Sequence, residues 1–124
     1  MAKFNSFEEI VAWQKAHQLT FQIYQITSNG DFGKDFGLKD QVRRASVSIM
    51  ANIAEGHGRR TNPQFANFLN LARGSAAEVQ SHLHVAVGLN YISQTQFTDL
   101  YDLTTEVSRM VLSLAKYLRS SSPT

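Results

Sequence analysis

Residues 43–60 read Arg-Arg-Ala-Ser-Val-Ser-Ile-Met-Ala-Asn-Ile-Ala-Glu-Gly-His-Gly-Arg-Arg, with an arginine pair at each end and small or apolar side chains between. At about 100° per residue, Leu38, Val42, Ala45, Ile49, Ile53 and Gly56 gather on one side of a helix, an ordinary core face. Val47, Met50, Ala51 and Ala54 gather on a second side. A stripe of Arg44, Ser48, Asn52, Glu55 and Arg59 fills the rest. A helix in a lone bundle needs one apolar stripe, and this one has nearly two. The second face predicts contact with another copy of the chain. Gly74, inside a later helical pattern, points the same way, because a mid-helix glycine costs about 1 kcal/mol of propensity relative to alanine.

The flanking sequence continues in helical periods. Ser6-Phe7-Glu8-Glu9 has the form of a capping box. Ala12, Ala16, Leu19, Ile23 and Ile26 follow at steps of four and three, predicting a helix over 7–27. The glycine-rich stretch 28–37 predicts a loop in which Phe32 and Phe36 cover the bundle end. The second helix spans 38–57, closed by Gly56-His57-Gly58 as a left-handed cap. Asn62-Pro63, or Thr61 with Gln64, opens a third helix over 62–89. Ser93 with Gln96 repeats the box form. Leu100, Leu103, Val107, Met110, Leu114 and Tyr117 then mark the core stripe of a fourth helix over 95–119, before a frayed tail at 120–124. The pattern predicts one all-α domain over 1–124, an antiparallel up-down-up-down four-helix bundle.

Composition narrows the function classes. The chain has 124 residues and no cysteine, which excludes disulfides and thiolate chemistry. The opening MAKFNSFEEI carries no apolar core of a signal peptide, and no run approaches the roughly 20 apolar residues of a membrane span. These features predict a cytoplasmic protein. The formal net charge of +2 is unevenly spread: between positions 39 and 73, Lys39, Arg43, Arg44, Arg59, Arg60 and Arg73 face only Asp40 and Glu55. Those six cations are the candidate nucleic-acid contacts, suited to phosphates rather than base edges. Glu55, one turn before Arg59, and Glu78 are candidate structural partners of arginines. Whether Arg44 and Arg59 pair with Glu55 and Glu78 or stay free for phosphate is left open by the spacing. Arg44, Val47, Met50, Ala51, Asn52, Ala54, Glu55, Gly74 and Glu78 together make the candidate interface and ion-pair set.

Enzymatic readings lack their residues. A di-iron bundle needs Glu-x-x-His on two helices, whereas Gly58 follows Glu55 at that spacing and Ser81 follows Glu78. His82 and His84 point about 200° apart on a helix and share no metal. No Gly-x-Ser-x-Gly elbow occurs. No cofactor and no catalytic residue are expected. A helix-turn-helix around Gly56–Asn62 would place a helix too apolar for a DNA groove.

The run 41–56, Gln-Val-Arg-Arg-Ala-Ser-Val-Ser-Ile-Met-Ala-Asn-Ile-Ala-Glu-Gly, resembles the QxRRAxxSIxxNIAEG signature of the bacterial four-helix-bundle proteins encoded in intervening sequences of 23S ribosomal RNA genes. Phe68-Leu69-Asn70-Leu71-Ala72-Arg73-Gly74-Ser75, with Glu78, resembles that family's second motif, and Val11–Ala16 its opening helix. His57 stands where an aromatic is common, and Met50 where proline is frequent, which removes the usual cause of a kink there. The resemblance implies a ring, a homopentamer, and kinship with the accessory proteins of diversity-generating retroelements, which work with a reverse transcriptase and nucleic acid. It implies no enzymatic activity. The function expected is an oligomeric, sequence-independent nucleic-acid-binding or accessory protein. The alternative is a scaffold for a protein partner, with no phosphate affinity.

Overall fold

The computed structural model describes residues 4–121, which are helical and contain no strand. After a single 3-10 turn at Phe7–Glu9, five helices follow: α1 Val11–Ile26, α2 Gly30–Lys34, α3 Phe36–His57, α4 Asn62–Gly88 and α5 Gln94–Ser121. Four are long. α1 packs on α3 and α5, and α4 packs on the same two, so each long helix has two long neighbours.

The direction of each pairing is visible in its contacts. Thr20 Oγ1 donates to the Ser46 carbonyl, and Arg43 Nε to Thr27 Oγ1. Along α3 and α4, Ser75 donates to Ser48, while Gly56 lies against Phe65 and Phe68. Along α4 and α5, Gln80 Nε2 donates to Thr105 Oγ1, and Arg119 Nη2 to Asn67 Oδ1. In every pair one residue number falls as the other rises.

The first helix begins later than its pattern predicts. The Ser6 hydroxyl caps nothing, and the Glu9 carboxylate instead accepts from the Asn5 amide at 3.0 Å. The chain leaves the helical path at Ile10 (ψ 118°), which seats that side chain in the core. Burying a large apolar side chain gains about 1.5–3 kcal/mol, more than a cap is worth.

The predicted loop at 28–37 is also corrected. Gly30, at φ +64°, starts the short α2, and α3 starts at Phe36 because Asp35 Oδ1 accepts from the Leu38 amide at 3.1 Å. Phe32 is buried against Tyr91, but Phe36 is 74% exposed under the Lys39 ammonium. At the far end of α3 no left-handed cap forms: Gly58 is right-handed (φ −78°), and Gly56 is buried within the helix. Its role is close approach to α4, where an added Cβ would lie 2.8 Å from Phe65 and 2.9 Å from Phe68.

Thr61, not Asn62, caps α4, accepting from the Gln64 amide at 3.3 Å. α4 ends in paired bonds from Asn90 to Val87 and from Tyr91 to Ala86, with Asn90 at φ 61°. Ser93 and Gln96 then form the predicted reciprocal box. On α5 the buried line is Leu100, Thr104, Val107, Val111, Ala115 and Leu118. Leu103, Met110 and Leu114 flank it half-buried and Tyr117 lies outside, a rotation from the predicted stripe. Small Thr104 and Ala115 are buried on this line, and the Thr104 hydroxyl is satisfied by the Leu100 carbonyl at 2.7 Å. The predicted tail begins inside α5, which continues through Ser121. Residues 122–124 lie outside the described residues.

Candidate nucleic-acid surface

The six sequence-predicted cations do not form one patch. Lys39 lies in the first turn of α3 and Arg59 two residues past its end, so about 27 Å of helix, from Lys39 to His57 at 1.5 Å per residue, separates them. At the first end, Lys39 Nζ donates to the Gly33 carbonyl at 3.2 Å. Arg43 is built into the end of α1: Nε donates to Thr27 Oγ1 at 2.7 Å, and the guanidinium lies 4.3 Å above the Tyr24 ring. It also donates to the Tyr24 carbonyl, so it serves as a cationic cap of α1. Arg44 pairs with Asp40 at 2.8 Å, both exposed, rather than with Glu55 or Glu78. That hydrogen bond raises the guanidinium pKa further above its ordinary value.

At the other end, Arg59 lies 4.5 Å above the Phe68 ring and pairs with Glu55 at 3.5 Å, the one predicted ion pair that forms. Both partners are exposed, where such a pair is worth about 0–1 kcal/mol and yields readily to a phosphate. Arg60 is exposed beside it, and among the described residues no acidic group pairs with it. Arg119 joins them, held to Asn67 at 3.0 Å. Asn67 and Phe68 are successive on α4, so Arg59 and Arg119 flank that helix from α3 and α5. Between them the outward side of α4 carries the exposed amides of Gln64, Asn67 and Asn70, and α4 has no acidic residue before Glu78. Arg119 escaped the sequence reading because it is 46 positions beyond the basic stretch. Only the pairing of α4 with α5 brings it there.

Arg73 stands apart, half-buried midway along α4, with Nε enclosed and without an acceptor among the described residues. Among the described residues Glu78 forms no ion pair. It lines a polar cleft of about 330 Å³ between α3 and α4 with Gln41, Arg44, Ser48, Ser75 and His82. Asn52 is turned inward onto Ser48, donating to its carbonyl at 2.9 Å. The second face of α3 is outward, as its pattern predicts: Val47 and Ala51 are exposed, Met50 and Ala54 half-buried. Val47 and Met50 join His17, Thr20, Phe21 and Tyr24 in an apolar groove of about 380 Å³. Gly74 is exposed, with nothing within 4 Å of where a Cβ would stand. Among the described residues no three His, Asp or Glu side chains converge on a metal position, and no helix is long and apolar enough to cross a membrane.

The family model described as "23S rRNA-intervening sequence protein" matches residues 8–113. A crystal structure from Bacteroides thetaiotaomicron, described as a protein of unknown function from the S23 ribosomal protein family, is similar with a TM-score of 0.78 and 27% identity. The likeness covers 85% of this chain and 98% of that one. No curated protein matches.

Proposed function

The chain belongs to the 23S rRNA-intervening sequence protein family, and from that premise we propose a non-enzymatic, self-assembling nucleic-acid-binding protein of the cytoplasm. Its architecture is the up-down-up-down four-helix bundle, and the assembly proposed is a ring of five, supported by the resemblance to the family. The observation that carries the nucleic-acid reading is the convergence of Arg59, Arg60 and Arg119 on the acid-free first turns of α4. Guanidinium groups bind phosphate oxygens through paired N–H donors, and the neighbouring amides accept or donate to sugar and phosphate. Phe68 is already covered by Arg59, so no free ring there stacks a base. Binding is therefore independent of sequence, with each copy's modest site multiplied by assembly.

The test is fluorescence anisotropy of labelled single-stranded RNA and duplex DNA across salt, with the wild type and an Arg59→Ala/Arg60→Ala/Arg119→Ala variant. Binding at low salt should weaken steeply as salt rises. For duplex DNA the variant should lower the log–log salt slope by about 3 per engaged copy, roughly one for each cation lost. A folded, assembled wild type that binds neither ligand at low salt rejects this reading in favour of a scaffold for a protein partner. The open apolar groove of α1 and α3 supports that second reading.

A further inference from the structure

Arg73 keeps an enclosed guanidinium N–H with no acceptor among the described residues. Burial without a partner is rare for such a donor, and it marks a place where an oxygen from outside the chain fits. Gln80, two turns further along α4 and within about 20° of Arg73 around the helix, donates to Thr105 Oγ1 at 2.8 Å and to the Tyr101 carbonyl at 3.3 Å. Arg73 therefore stands on the side of α4 that faces α5. It lies midway between the contact of Asn67 with Arg119 and that of Gln80 with Thr105, level with Leu112 and Ser113. Arg109 and Lys116 stand a turn to either side of that level, within about 40° of Thr105 around α5. Both are exposed, and among the described residues neither has an acidic partner. Arg119 ends the row. α5 carries no acid after Glu106 and α4 none before Glu78, which lines the cleft toward α3 on the other side of its helix.

The opposite end of the same seam is aromatic. One turn beyond Gln80, the exposed His84 packs on Phe97 at 4.9 Å and on Tyr101 at 5.6 Å, and those two half-buried rings lie 5.3 Å apart. The α5 acids Asp99 and Asp102 stand at this end, which suits an uncharged base and not a phosphate.

We propose that the α4–α5 seam is a track for one unpaired strand of nucleic acid, with phosphates along Arg119, Lys116, Arg73 and Arg109 and a base against the His84 cluster. From Tyr101 to Arg119 the track is about 27 Å long at 1.5 Å per residue, the length of about eight nucleotides at 3.4 Å each. A phosphate oxygen in the seam gives the orphaned Arg73 donor its acceptor. A duplex also offers phosphates to the cations, but its bases are held in their own stack, so the aromatic end favours a single strand. Every base has a face to stack, so no sequence is selected. The track rests on the nucleic-acid part of the proposed function, shares Arg119 with the arginine end, and adds the form of the ligand.

The test is anisotropy of a labelled single-stranded RNA longer than the track, of DNA of the same sequence, and of the duplex that DNA forms with its complement. Both single strands should bind more tightly than the duplex. His84→Ala should lower the ratio of single-strand to duplex affinity at least about fivefold, the low end of a base–aromatic stack. His84→Phe, which keeps a ring without the ring nitrogens, should restore it. Arg73→Gln should lower the log–log salt slope for a single strand by about 0.7, one phosphate contact. Circular dichroism and the urea midpoint check each fold, and Lys116→Ala, at an exposed position, gives the same slope reading should Arg73→Gln alter it. Equal binding of duplex and single strands overturns the track. So does single-strand binding that either His84→Ala or Arg73→Gln leaves unchanged while Arg59→Ala/Arg60→Ala abolishes it, and the arginine end then binds alone. A folded wild type that binds no nucleic acid at low salt overturns the proposed function and the track with it.

Discussion

At Gly56 a single added methyl would stand 2.8 Å from the Phe65 ring and 2.9 Å from Phe68 Cβ. Helix propensity favours alanine over glycine by about 1 kcal/mol, but overpacking of a tight contact costs about 1–3 kcal/mol. Packing wins here because α4 backbone lies as close as 3.2 Å and cannot rotate away as a side chain tip does. Gly56→Ala should lower the urea midpoint. Gly74→Ala should instead raise the unfolding free energy by up to about 1 kcal/mol, since nothing within 4 Å crowds an added Cβ there. Equal effects of the two substitutions would contradict this account. A second residue-scale device is Asp35, which caps α3 with one oxygen and accepts from the Tyr91 hydroxyl with the other at 3.0 Å. That bond raises the Tyr91 phenol above its usual value of 10.0. The unfolded chain therefore releases this proton first as pH rises. Its stabilising effect is intact below the usual tyrosine value and is lost as pH passes through the raised native value. Ultraviolet titration of tyrosinate should show a late-titrating phenol in the wild type that moves back toward the ordinary range in Asp35→Ala. A titration identical in the two proteins would exclude the link.

Among the elements, two segments of the same sequence form behave differently. Ser93 and Gln96 exchange bonds at 3.0 and 2.8 Å and start α5. Ser6 and Glu9 share the form, yet Ser6 caps nothing, because the core claims Ile10 and turns the chain before α1. Ser93→Ala should cost about 1 kcal/mol in chemical denaturation, and Ser6→Ala nothing measurable. The reverse order would show that the first box, not the Ile10 contact, sets the start of α1. The same competition rotated α5. Period alone put Leu103, Met110 and Leu114 at the centre of its stripe. In the packed bundle Thr104, Val111 and Ala115 are buried instead, with Leu103, Met110 and Leu114 half-buried beside them.

At the scale of the whole molecule, charge and apolar surface are sorted by helix pairing. Packing α4 between α3 and α5 brings Arg119 beside Arg59, and the length of α3 separates both from Lys39, Arg43 and Arg44. The basic stretch is continuous along the chain but divided in space: part of it seals the end of α1, and part is free at the opposite end. Local periodicity was enough to determine the helical class, the four long helices, the core face of α3, its outward second face and the arginine-rich motif, because each depends on residues within a few turns of one another. The start of α1, the burial order of α5 and the recruitment of Arg119 were decided by tertiary structure. Each of those turns on the distance between helices far apart in sequence, and no pattern within one helix encodes that distance.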